Sequence, residues 1–143
     1  MSEQMGLNIG FGDYDLDAVP ELHTLPIGEA ELRLIGAELK QQKPDRGTGY
    51  FLQLRFQSVT DPNAENINHI MMFPQAEKEE RTNNQRLRAL KDFAAAYGVP
   101  ARTLTELING VNGAIGNSGF ALLKIEESPE YGPQNRIVKF VVR

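Results

Sequence analysis

Tyr50 to Gln57 is the stretch that most limits what this chain can fold into, because Tyr50, Leu52, Leu54 and Phe56 alternate there with Phe51, Gln53, Arg55 and Gln57. A period of two belongs to a strand with one buried face. The chain must therefore build a sheet and cover one side of it. Leu32 and Leu34 alternate with Glu31 and Arg33 until Gly36 interrupts, which predicts a first strand over about 29–41 that bulges or bends at the glycine. Lys43-Pro44-Asp45-Arg46-Gly47-Thr48-Gly49 is a turn-rich basic connector between these two strands. Asp61-Pro62-Asn63 makes a turn, and Ile67 to Phe73 is a third β-leaning run, stopped by Pro74.

Beyond Pro74 the period changes. Thr82-Asn83-Asn84-Gln85 has the form of a capping box, and Leu87, Leu90, Phe93, Ala94 and Tyr97 recur at helical spacing until Gly98 and Pro100, which predicts a helix over about 83–97. Thr103-Leu104-Thr105-Glu106 offers a second box for a short helix closed by Asn109-Gly110. A glycine-rich passage, Gly110 to Gly119, leads to a fourth strand over 120–127, a loop over 128–135 and a fifth strand over 136–143. Five strands with the main helix between the third and fourth is the order of the OB-fold, a five-stranded barrel that binds oligonucleotides or oligosaccharides. The expected fold is thus mainly β with helices, an OB-fold barrel over 29–143 preceded by an irregular or partly disordered arm, 1–28.

The 143 residues, 41% hydrophobic and 24% charged, suit one domain with one core. The absence of a long apolar run and of a basic, then apolar, beginning gives the expectation of no membrane partner and a cytoplasmic address. With no cysteine and two distant histidines, His23 and His69, thiolate chemistry and a histidine metal cluster have no residues to use. The net charge of −4 conceals an asymmetry: residues 1–31 hold seven acids and no Lys or Arg, which leaves the body, 32–143, at a formal +3.

Leu25-Pro26-Ile27-Gly28 ahead of a strand, Gly49-Tyr50-Phe51-Leu52, the helix ending in Ala96-Tyr97-Gly98, and Tyr131-Gly132-Pro133-Gln134-Asn135 before the last strand together resemble phage-encoded single-stranded-DNA-binding proteins. The resemblance runs from about 25 to 143 and implies an OB-fold that coats single-stranded DNA in phage replication or recombination, in the host cytoplasm. One feature departs from it. Many single-stranded-DNA-binding proteins end in an acidic tail that recruits partners, whereas this chain ends Phe140-Val141-Val142-Arg143 and is acidic at its beginning.

Sequence-tolerant binding of a single strand needs flat side chains for base stacking and cations along the phosphates. If Leu52, Leu54 and Phe56 face the core, Phe51, Gln53, Arg55 and Gln57 face outward together. Arg33, Lys40, Lys43, Arg46, Lys124, Arg136 and Lys139 then provide a phosphate track on or beside the strands, and Tyr131 an aromatic on the loop between the last two. Several of these residues have a plainer role open to them: Phe51 under a neighbouring loop, Arg55 as a solvated charge, Lys40, Lys43 and Arg46 as solubilising charges on an exposed loop, Tyr131 packed on the rim. His69 and Met71 are expected to pack. Asp13, Asp15 and Asp17 mimic the start of a calcium loop, but Ala18 stands where glycine is needed and Thr24 where the bidentate Glu belongs. The glycines at 110, 113, 116 and 119 precede a strand, so they make no phosphate cradle at a helix start. The expectation is a binding protein, not an enzyme, without cofactor, whose partners are single-stranded DNA, replication or recombination proteins and further copies of itself. The alternative is a protein-interaction module, such as a phage inhibitor or assembly factor, that works through its acidic arm.

Overall fold

The computed structural model describes residues 12, 14–42 and 49–143. Five strands, β1 (Gly28–Gln41), β2 (Tyr50–Ser58), β3 (Ile67–Met72), β4 (Ser118–Ser128) and β5 (Gly132–Val141), form one antiparallel sheet in the order β3-β2-β1-β4-β5. Two helices, α1 (Glu80–Tyr97) and α2 (Leu104–Gly110), lie between β3 and β4, and a 3₁₀ turn (Val111–Ala114) continues α2. Among the described residues no helix is long and apolar enough to cross a membrane.

The 14-residue β1 joins the two halves of the sheet: Gly28–Arg33 pair with β4, and Leu32–Gln41 with β2. Its ladder with β2 shifts register between Leu34 and Gly36, so the bulge falls where the glycine predicted it. Leu52, Leu54 and Phe56 are buried and face Leu39, Ala37 and Leu34 across the ladder, which is the register expected from the alternation. Tyr50, in the same phase, is half exposed because it stands at the strand's beginning.

Helix α1 covers the apolar side with Leu90, Phe93, Ala94 and Tyr97. Rings of Phe56, Phe93, Tyr97 and Phe140 meet there at centroid separations of 5.3–5.8 Å. Tyr97 donates its hydroxyl to the Leu32 carbonyl at 2.9 Å, and burial pushes its ionisation upward. The helix approaches the sheet closely at Gly119, where an added Cβ would lie 2.8 Å from the Ala96 carbonyl oxygen. Gly98, at φ 71°, ends the helix in a left-handed C-terminal cap.

Three expectations need correction. Thr82-Asn83-Asn84-Gln85 does not cap α1, which starts at Glu80 after an N-cap, Glu79, without a side-chain bond. Asn83 instead holds the Gln75 backbone at both its N–H and its C=O, at 2.9 and 2.7 Å, and so fastens the connector from β3 against the helix. Most of the expected 128–135 loop is strand: Ser128 pairs with Gly132, leaving only Pro129, Glu130 and Tyr131 in the hairpin, with Gly132 at φ 74°. The third correction concerns closure: the sheet is not closed into a barrel, and β3 and β5 are its two edges.

Part of the arm lies at that seam. His23 forms a parallel bridge with Ala64, just before β3, donating to the Asn63 carbonyl and accepting from the Glu65 N–H at 3.0 and 2.8 Å. Two residues on, buried Leu25 donates its N–H to Asn135 Oδ1 at 2.7 Å, and Asn135 Nδ2 donates to the Leu25 carbonyl at 2.9 Å. The Asn135 side chain thus supplies the two bonds that a neighbouring backbone would. The arm is irregular in its described part, with one 3₁₀ turn at Leu16–Ala18, yet residues 23–25 strap the edges together.

Candidate nucleic-acid interface

The outward face of β2 is set by the register of its two ladders. Phe51 stands between Lys40 of β1 and Met72 of β3, Gln53 between Glu38 and Ile70, and Arg55 between Gly36 and Asn68. Residues paired across antiparallel strands share a face, so these three rows form one outer surface. Phe51 is half-buried among its neighbours and Arg55 is exposed. Gly36 brings no side chain beside Arg55, which leaves the guanidinium room to move.

Arg33 is exposed on the same face, paired with Gln57 on one side and Ser118 on the other. Lys40 is exposed and 3.8 Å from Glu38, a surface pair of small energetic weight. On the other half of the sheet Lys124 faces Arg136, and both meet Glu126, at 2.8 and 3.3 Å. The Lys124 ammonium, hydrogen-bonded to it, holds the Glu126 carboxyl below its usual range, with Arg136 adding to the effect. That one carboxylate offsets half the charge of the two cations. Lys139 is exposed opposite Leu122, and Tyr131, 73% exposed, stands at the hairpin tip with its N–H on Ser128 Oγ at 3.2 Å. Lys43 and Arg46 lie outside the described residues.

Curling of the sheet brings part of these halves together. A cleft of about 540 Å³ at the seam is lined by Gln53, Asn68 and Ile70 from the β2–β3 side and by Lys124, Gln134 and Arg136 from the β4–β5 side. Lys124 and Arg136 therefore share a cleft with Gln53 of β2 and with the carboxylates Glu65 and Glu126, Phe51 and Arg55 stand outside it on the same strand, and Lys139 belongs to a second hollow beside α1, with Arg86 and Arg88. Tyr131 lines neither. Sequence reasoning missed Asn66, Asn68 and Gln134, amides that line the cleft. The outward phase of β3 would have pointed to Asn68 by the alternation already applied to β2.

Two other aromatic groups on the sheet are occupied. Phe120 faces outward on β4, but the Arg143 guanidinium lies 4.1 Å above its ring and pairs with Glu29, so that ring is covered. His69 faces inward, packs edge-on against Phe140 at 5.6 Å, and is pushed by burial to a pKa of about 4. It packs, as expected, and is neutral at pH 7. No protein-family model matches the chain, and no curated protein matches it.

Proposed function

We propose that this chain is a sequence-tolerant single-stranded-DNA-binding protein that acts in phage DNA replication or recombination, without enzymatic activity, and that its sheet is a variant of the OB-fold. The fold reading is supported by the strand order with α1 between β3 and β4, by the long β1 shared between two halves, and by the edge-on contact of His69 with Phe140 across the seam. The functional reading rests on one observation: Phe51, Gln53 and Arg55 share an outward face, and Gln53 borders a cleft whose opposite wall carries Lys124 and Arg136. A base stacks on the ring while cations follow the phosphates, and neither contact depends on base identity. Arg33 and Lys40 add two cations on β1, with Glu38 between them on the same face.

Titration of a labelled poly-thymidine oligonucleotide at low and at moderate salt tests the proposal. Binding that is tight at low salt and falls steeply with ionic strength is the expected result, because phosphate contacts release counterions. Absence of binding at low salt overturns it. The interaction-module reading then takes over, favoured by a specific feature: the acidic segment before the strap exposes Tyr14, Leu16, Val19 and Leu22.

A further inference from the structure

Single exposed apolar residues are ordinary on a protein surface, but four large ones within nine consecutive positions are not. Tyr14 is 88% and Leu16 83% exposed, with Val19 and Leu22 also more than half exposed. The same segment carries Asp15, Asp17 and Glu21 and no cation. Asp15 caps its 3₁₀ turn by accepting the Asp17 N–H at 2.9 Å, so the segment has a local shape of its own. The strap at His23 and Leu25 anchors it to the body.

A complementary surface lies elsewhere on the chain. Between α1 and α2 runs a groove of about 510 Å³, with an apolar floor that includes Leu87, Ala94, Leu104 and Leu107 and two cations, Lys91 and Arg102, and no carboxylate among its lining residues. Leu87 continues the apolar stripe of α1 yet is 41% exposed among the described residues.

We propose that Tyr14–Leu22 of one copy seats in the α1–α2 groove of a second copy, its apolar side chains on the floor and its carboxylates on Lys91 and Arg102. Segment and groove are different surfaces, so the contact is heterologous, and each added copy still offers a free segment or a free groove. Assembly therefore extends beyond a dimer. This inference stands independently of the nucleic-acid reading, since it uses neither the β2 face nor the seam cleft.

Sedimentation of the full chain tests it. A contact made by one short segment is at the small end of interface sizes. The average mass should accordingly rise above the 15.9 kDa of one chain between about 10 µM and about 1 mM protein. A double variant, Tyr14→Ser with Leu16→Ser, and a groove variant, Leu87→Glu, should each lose association at least about tenfold. Mixed together they should form a pair that grows no further, because only one arm and one groove remain functional. Should Leu87→Glu fail to fold, Lys91→Glu replaces it, and adding Asp17→Lys should restore the association that Lys91→Glu removes. A wild-type mass that stays at one chain up to about 1 mM overturns the proposal. So do variants that associate like the wild type, or a mixture that forms no pair.

Discussion

Phe51 and Arg55 occupy the same outward phase of β2, yet they should contribute to binding in different ways. Phe51→Ala removes a stacking platform worth roughly 1–3 kcal/mol per base, so affinity for a single strand should fall about ten- to a hundredfold with the salt slope nearly unchanged. Arg55→Ala should cost less affinity but flatten the salt dependence by ~0.7, one phosphate's share on a single strand. Fluorescence titration over a salt series separates the two, and equal slopes for both variants would refute the assignment. His69 gives a second prediction at this scale. Its folded pKa of about 4 lies below its ordinary 6.5, so over that range the unfolded chain binds the proton first. The stability that depends on neutral His69 is complete above about pH 6.5 and is lost as pH falls toward 4, by up to about 3 kcal/mol. His69→Phe should remove that component, as urea midpoints measured at pH 7 and pH 5 would reveal. Outward and inward phases on β2 were legible from alternation alone. Which outward ring is available was not: Phe120 is covered only because the C-terminal Arg143 folds back over it.

Elements were legible where one period runs without interruption, and less so where a side chain has two possible partners. Asn83 could have capped a helix from within Thr82–Gln85, but its amide bonds the Gln75 backbone instead, and α1 begins earlier. Local chemistry offers both arrangements, and the path of the connector from β3 selects one. Thr103 had no such competitor. Its hydroxyl accepts the Glu106 N–H at 3.2 Å, while the Glu106 carboxylate accepts the Arg102 N–H at 2.8 Å, much as a capping box requires. Gly119 belongs to this scale as well, because it sets how closely α1 can approach β4. Gly119→Ala puts a methyl group 2.8 Å from a backbone oxygen that cannot swing aside, and should destabilise the protein by about 1–3 kcal/mol in chemical denaturation. Stability within about 0.5 kcal/mol of wild type would show that the helix shifts freely.

For the whole molecule, the arm combines an acidic segment with a structural strap, and deletions separate the two. Removing residues 1–19 takes away Glu3, Asp13, Asp15 and Asp17, brings the formal charge from −4 to 0, and keeps the strap. Weaker repulsion of phosphates should then tighten single-strand binding at low salt, with thermal stability unchanged. Removing residues 1–28 also deletes Leu25 and with it both of its hydrogen bonds to Asn135, whose Nδ2 keeps only the Lys124 carbonyl at 3.5 Å, at a cost of about 0.5–1.5 kcal/mol for each bond lost. That longer deletion should lower the melting temperature. If both truncations melt alike, the strap carries no stability.

Local pattern, meaning alternation, apolar runs and the glycines and prolines that interrupt them, determined five strands, their order along the chain, the bulge at Gly36, the core face of β2 and the helix that ends at Gly98, because each depends on neighbours within a few residues. Only the tertiary structure decided that the β3 and β5 edges stay unpaired, that Asn135 joins Leu25 across 110 positions, and that Lys124 and Arg136 curl round to share a cleft with Gln53. A single side chain's amide can stand in for a strand's backbone only when the fold brings a free backbone to it, and no local pattern encodes that meeting.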